Sequence, residues 1–369
     1  RDNGADPPAR CGNRVSLTLR SCAMLFKRSG MKQYYRPILS SKSATSKRAK
    51  QFAGTRLWFE AARVLGRDGT DHWVDVSDVP QEIIDLWTMP RAPIAGLDFT
   101  QPQIMGILNV TPDSFSDGGK FADHKVAVAQ ARTLRDQGAA ILDIGGESTR
   151  PGADVVPDDV EIARTSPVIA ALGADFGVPI SLDTRKSRVA EAGISAGAQI
   201  INDVSGFTFD PKLIDVCVKH RTPVCVMHAQ GDPKTMQDNP RYDHVVLDVY
   251  DFLETQIDRL VRAGVPRGQI IADPGIGFGK TLDHNLLLLN HIGMFHSLGV
   301  PILLGVSRKG MIKTIGNAPN AQDRVPGSVA VALAAVEQGV QIFRVHDVAE
   351  TKQAFALWQA VQTGEWHGA

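Results

Sequence analysis

The sequence predicts an α/β fold, a (β/α)8 barrel of the TIM type with a short N-terminal extension. Three observations predict it. Eight short runs rich in Val and Ile recur from Gln103 onward, longer amphipathic stretches alternate with them, and nearly every run ends in a polar residue able to bind or react. Eight such units closing on themselves make a barrel; a doubly wound open sheet is the rival with the same alternation.

The chain opens on a segment of different character. From Pro7 to Phe59 there is no Asp or Glu, while Arg10, Arg14, Arg20, Lys27, Arg28, Arg36, Lys47, Arg48 and Lys50 accumulate beside several serines. That profile is shared with transit peptides. The chain does not begin with Met, and Met31 in MKQYYRPIL is an equally good start, so residues 1–30 read as targeting sequence, translated upstream sequence or a cloning artefact. On each reading residues 1–52 are expected to be a basic, disordered extension. Residues 53–98 come next as a small hairpin-like segment, in which Gly-Arg-Asp-Gly-Thr-Asp separates two apolar runs. The barrel domain then occupies residues 99–369.

Within it the expected strands are Ile104 to Val110, Ala139 to Gly145, Val178 to Thr184, Gln199 to Val204, Thr222 to Met227, Gln269 to Pro274, Val300 to Val306 and Gln341 to His346. Helical patterns lie between them over Lys125 to Gln137, Lys186 to Ala196, Asp243 to Ala263 and Ser328 to Gln338.

Composition excludes several functions. With 369 residues, 43% hydrophobic, 22% charged and a formal net charge of +0, the chain has the profile of a globular enzyme. A nucleic-acid partner calls for clustered basic excess, so none is expected. No run approaches the roughly 18 apolar residues of a membrane span, so no membrane partner is expected either. Cys11, Cys22, Cys217 and Cys225 lack metal-type spacing and read as reduced, in keeping with a cytoplasmic location.

The polar strand ends are Asn109, Asp143, Asp183, Asn202, His228, Asp273, Ser307, and Arg344 with His346. In a barrel they converge on one mouth. Each by itself is as well explained by a turn or helix cap, but capping does not account for all of them. The loop from Ile107 to Phe121, ILNVTPDSFSDGGKF, is long for its place and reads as a substrate lid, a solvated linker being the plain alternative. GGESTRPGA (Gly145 to Ala153), DTRKS (Asp183 to Ser187), INDVSG (Ile201 to Gly206), ADPGIGFGK (Ala272 to Lys280), GVSRKG (Gly305 to Gly310) and RVHDV (Arg344 to Val348) follow.

This ordered set resembles the dihydropteroate synthase family from about Gln103 to the end of the chain. NVTPDSFSDGG followed by GGESTRPGA is the most specific part; DPG or GxGFGK by itself is weak. The resemblance implies condensation of (7,8-dihydropterin-6-yl)methyl diphosphate with 4-aminobenzoate to 7,8-dihydropteroate and diphosphate. It implies that Asp183, Asn202 and Asp273 grip the pterin and that Lys309 bonds its carbonyl and ring nitrogen, with Met227, Gly277 and Phe278 as the pocket wall. Arg344, His346 and Thr149, with Arg308, would meet the diphosphate, and Asn109 would hold Mg²⁺, with Asp113 and Asp117 as further candidates. Asp183, Asp273, Lys309 and Arg344 are the catalytic candidates. Phe115, Arg150, Pro151 and Ser307, beside Lys309, would receive 4-aminobenzoate, the substrate that sulfonamides mimic. A homodimer through helices such as Val329 to Val336 is also implied, although packing on the barrel explains that apolar run equally well.

Two other functions share the barrel. A pterin-dependent methyltransferase domain has no use for a diphosphate, and TRPG, SRKG and RVH favour the synthase. A non-catalytic pterin-binding paralogue would be expected to have lost positions in the first two loops, which are intact here. The chain offers neither a GxSxG elbow nor a Cys/His nucleophile arrangement.

Overall fold

The computed structural model describes residues 31–42, 46–111, 119–148, 153–231 and 235–366, the side chains of 119–123 excepted. Gln33–Ala369 forms one compact unit, and of Arg1–Lys32 only residues 31 and 32 are described.

Before the barrel stands an antiparallel sheet of Gln33–Ser40 (β1), Lys50–Gln51 (β2), Trp58–Gly66 (β3) and Asp71–Asp75 (β4), followed by helix Gln81–Thr88 (α1). β3 is central: β1 pairs along it from Gln33↔Gly66 to Ser40↔Trp58, and β4 pairs on it from Asp71↔Leu65 to Asp75↔Ala61. This corrects the expectation of disorder for residues 31–42 and 46–52; residues 1–30 and 43–45 lie outside the described residues. The scarcity of acids around QYYRPILS suggested a solvated extension, but Tyr34 is buried and the Arg36 guanidinium is spent on Gln338 Oε1 at 3.0 Å. Phe52 is fully buried in a core with Leu57, Phe59, Val76, Ile84 and Trp87. The hairpin of β3 and β4 turns over Arg67 to Thr70, within the Gly-Arg-Asp-Gly-Thr-Asp stretch.

The barrel strands are Gln103–Asn109 (β5), Ile141–Gly145 (β6), Ile180–Asp183 (β7), Ile200–Asp203 (β8), Val224–Met227 (β9), Ile270–Asp273 (β10), Leu303–Leu304 (β11) and Ile342–Val345 (β12). They are parallel and paired in chain order, with β12 returning to β5. A bridge between Ala272 and Ile302 joins β10 to the start of β11 and nearly closes the ring. The barrel helices among the described residues are Gly119–Asp136 (α2), Asp158–Leu172 (α3), Ser187–Ala196 (α4), Lys212–His220 (α5), Val245–Ala263 (α6), Leu282–Asn290 (α7), Gly310–Ile315 (α8), Val325–Glu337 (α9) and Val348–Thr363 (α10). Strands buried on both faces read as continuous apolar runs, which is why the strand pattern was legible.

Side chains alternate along a strand, and the alternation builds the site. Met105, Ile141, Ile200, Cys225, Ile271, Leu303 and Ile342, one from each of seven strands, form one buried apolar cluster. Ile94, Leu97 and Phe99, from the chain entering the barrel, pack against it as a plug. The other face of the strands, with Leu142, Leu182, Ile201, Val226, Ala272, Leu304 and Phe343, joins the large core shared with the helices. Two residues beyond the inner layer the chemistry changes: Ile141 is followed by Asp143, Ile200 by Asn202, Ile271 by Asp273 and Ile342 by Arg344.

Candidate active site

Above the apolar layer the mouth contains a charged ring. Arg344 on β12 donates from Nε to Asp143 Oδ2 at 2.6 Å and from Nη2 to Asp183 Oδ2 at 2.9 Å. Asn202 Nδ2 reaches the same Asp143 oxygen at 3.3 Å. Asp143 is fully buried, and its Oδ1 has no hydrogen-bond partner. A buried carboxylate is costly unless paired, so Arg344 is what permits two of them at neighbouring strand ends.

Electrostatics follow from that crowding. Burial pushes the Asp183 carboxyl up to about 8, with Arg344 opposing the rise and Asp143 adding to it. For Arg344 burial works against the charged form, but Asp143 and Asp183 outweigh it and hold the guanidinium above its ordinary value. Asp273 on β10 is pushed up to about 6 by burial, against a 2.7 Å hydrogen bond from the Gly275 N–H and the charges of Lys309, Lys280 and Arg344. Perturbed carboxylates gathered at one cleft are a mark of a functional site.

Lys309 stands at the N-terminus of α8 with its ammonium 4.1 Å from the centre of the Phe278 ring. Its stem passes so close to Gly277 that a Cβ there would lie 3.3 Å from Lys309 Cδ. Before it, Arg308 adopts a left-handed φ of 57°, held by Ser328 Oγ accepting its N–H at 2.9 Å and Arg324 donating to its carbonyl at 3.0 Å. The Arg308 side chain turns to Asp347, with Nε 3.0 Å from Oδ2 and a second contact from Nη2 to Oδ1. Ser307 and His346 are partners, Oγ to Nδ1 at 3.0 Å, and Ser307 Oγ also accepts the His346 N–H at 3.1 Å.

The structure therefore assembles Asp183, Asn202 and Arg344 in one cluster, Asp273, Lys309, Gly277 and Phe278 in a second, and Ser307 with His346 in a third. Met227 lies beside Asp273 in the register of β9 and β10. Phe115, Thr149, Arg150 and Pro151, with Asp113 and Asp117, lie outside the described residues.

Two groups escaped assignment from the sequence. Asp143 was visible as a strand end, and its position two residues past Ile141 puts it in phase with the site; only the contact with Arg344 reveals its part. Lys280, in the weak GFGK pattern, is 3% exposed and bonds His228 Nδ1 at 2.9 Å. A further buried network stands at the start of the second loop. Glu147 meets Arg185 Nη2 at 2.8 Å and also Lys186 Nζ, which continues to Glu161 at 2.6 Å and the Val156 carbonyl at 2.6 Å.

A cation could be met at the top of β5 and β6. Asn109 Oδ1 and Asp183 Oδ2 both border Gly145, 3.8 and 3.7 Å from where a Cβ on that glycine would lie. No group of three or more His, Cys, Asp or Glu fit to hold a metal occurs among the described residues. Asp183 Oδ2 already accepts from Arg344, so the fit rests on the Asn109 carboxamide oxygen, which suits a hard ion that takes its other ligands from a bound anion and water, the habit of Mg²⁺.

The model of the pterin binding enzyme family matches residues 105–346. The dihydropteroate synthase of Neisseria meningitidis serogroup B is 47% identical over 281 residues, 75% of this chain and 97% of that protein. Among solved structures, Xanthomonas albilineans dihydropteroate synthase with 4-aminobenzoic acid superposes with a TM-score of 0.69 at 45% identity, covering 73% of this chain and 96% of that one. The same enzyme in complex with 7,8-dihydropteroate gives 0.66 at 42% identity, covering 72% and 95%.

Proposed function

Because this chain belongs to the pterin-binding enzyme family, and within it to the dihydropteroate synthases, we propose that its barrel mouth carries out the condensation with the following division of labour. The reaction joins (7,8-dihydropterin-6-yl)methyl diphosphate to 4-aminobenzoate, breaking the methylene C–O bond and forming a C–N bond. Diphosphate leaves with the electron pair, and the arylamine loses a proton to solvent.

Asp183, Asn202 and Asp273 read the pterin's pyrimidine edge, which is rich in N–H donors that carboxylate and amide oxygens accept. Lys309 donates to the pterin carbonyl and ring nitrogen, with Met227, Gly277 and Phe278 as the apolar wall. As the C–O bond stretches, positive charge grows on the methylene carbon, and the fixed carboxylates of the mouth stabilise it there. Arg344 has five N–H donors, and Asp143 and Asp183 engage two of them, so three remain for diphosphate oxygens. His346 and Thr149 complete that corner. Asn109 would hold Mg²⁺, which supplies charge neutralisation for the leaving group. Phe115, Arg150, Pro151 and Ser307 receive 4-aminobenzoate. Sulfonamides compete at this position, and a homodimer is the working form.

The observation that carries this assignment is the pairing of Arg344 with Asp143 and Asp183 beside Asn202, directly above the apolar layer of the barrel. Calorimetric titration of the dihydropterin methyl diphosphate into Asn202→Ala and Asp273→Asn variants tests it. Loss of a charge-assisted hydrogen bond is worth about 1.5–3 kcal/mol, so affinity falls by about tenfold to hundredfold. Unchanged affinity in both variants would remove them from the site.

A further inference from the structure

Lys280 belongs to none of the three side-chain clusters that face the substrate, yet four short contacts converge on its ammonium. Its ammonium lies 2.8 Å from the Gly275 carbonyl, 2.9 Å from the Phe278 carbonyl and 2.9 Å from His228 Nδ1, with the His228 carbonyl at 3.3 Å. An ammonium has three N–H donors, and the three shorter contacts use them all. Burial lowers Lys280 to about 7 while Asp273 opposes the fall, and burial followed by the Lys280 charge holds His228 well below its ordinary value. A neutral imidazole is the acceptor this arrangement requires.

The loop around it cannot assume this shape unaided. Gly275, Gly277 and Gly279 have φ of 67°, 82° and 62°. A Cβ on Gly275 would sit 1.9 Å from the His228 oxygen, and one on Gly279 would sit 2.3 Å from the Gln230 oxygen. The segment is therefore pressed flat against the chain leaving β9, with carbonyl dipoles converging on one point. Without a cation there, the converging oxygens repel one another and have no donor.

What the loop holds is the pterin side of the site. The Gly275 N–H donates to Asp273 Oδ1 at 2.7 Å, Gly277 leaves room for the Lys309 stem, and Phe278 presents its ring to the Lys309 ammonium. We propose that Lys280 is a positioning residue for pterin recognition: it gathers the carbonyls of Gly275 and Phe278 and the His228 ring, and so sets Asp273 and Lys309 in register without touching the substrate. This rests on the reading of Asp273 and Lys309 as pterin contacts. Ser307 and His346, at the ends of β11 and β12, are bonded to each other and lie outside this cage.

The geometry predicts a split between the two substrates. Lys280→Met, which keeps length and loses charge, raises KM for the dihydropterin methyl diphosphate by about tenfold or more, because a loop displaced by about an ångström costs that order of effect. KM for 4-aminobenzoate rises by less than half as much, since of its groups only Lys309 depends on this loop and Ser307 is held by His346. Lys280→Gln, whose amide still donates to two carbonyls, falls between wild type and Met. Should the Met variant not fold, the Gln variant and His228→Leu, which removes one acceptor, decide the matter by the same split. Equal rises in both KM values, or pterin KM unchanged in a folded variant, overturn the proposal. Asp273→Asn and Lys309→Ala serve as references: if neither weakens pterin binding, the reading of the pterin site has failed and this inference falls with it.

Discussion

Arg344 and Asp183, 161 residues apart in the chain, meet at 2.9 Å across the barrel mouth. The same guanidinium holds Asp143, so one cation pairs with two buried carboxyl groups and opposes the rise that burial imposes on Asp183. Arg344→Met leaves both without it and is expected to cost about 3–5 kcal/mol in denaturant unfolding. Adding Asp183→Asn to that variant returns part of the stability and none of the activity. A single variant as stable as wild type would show that the pairing is incidental.

Asp273 illustrates the opposite relation between charge and stability. Its folded value of about 6 lies above the ordinary carboxylate value of about 3.9, so the folded state binds the proton more tightly than the unfolded chain. This group's contribution is therefore neutral below about pH 4, becomes progressively destabilising between about pH 4 and 6, and is fully destabilising above that. Asp273→Asn, which can still accept the Gly275 N–H, should stabilise the protein by about 1–3 kcal/mol at pH 7.5 and by little at pH 4, while abolishing turnover. Equal stability of variant and parent at pH 7.5 contradicts this.

Gly275 tests the tightness of the loop. Gly275→Ala puts a Cβ into a main-chain oxygen at a left-handed φ, whereas Gly305→Ala meets nothing within 4 Å and no such φ. The first should lose at least about 3 kcal/mol and pterin affinity, the second less than about 1 kcal/mol, as thermal or denaturant unfolding will show.

Trp87 measures what the N-terminal sheet contributes. Its indole is fully buried and donates to Ser297 Oγ at 2.9 Å, and Ser297 in turn donates to the Tyr35 carbonyl at 2.7 Å. Trp87→Ala should cost about 3–5 kcal/mol while kcat of the folded fraction changes little, since the indole packs outside the mouth. A chain begun at Met31 keeps β1 and should be fully active; one begun at residue 99 loses this core and the Ile94 and Leu97 plug, and should unfold at lower temperature.

The barrel was legible because each strand is buried on both faces, and the polar ends were legible because period-two alternation carries Ile141 to Asp143 and Ile271 to Asp273. β1 was not, because a local count of charges overlooked that Tyr34 and Pro37 point inward and that Arg36 has a partner 302 residues away. Lys280 was hidden for a similar reason: its partners are main-chain carbonyls, which leave no trace in side-chain patterns. Arg308 gave the converse lesson. It stands beside Lys309 in SRKG, but a left-handed φ sends its guanidinium to Asp347.

The most direct test of the account is the ratio of 7,8-dihydropteroate formed to diphosphate released by a chain started at Met31, supplied with dihydropterin methyl diphosphate, Mg²⁺ and 4-aminobenzoate. The account predicts one product per diphosphate, with both signals lost together in Lys309→Ala. Pterin bound with neither product formed, or diphosphate released without dihydropteroate, would contradict it.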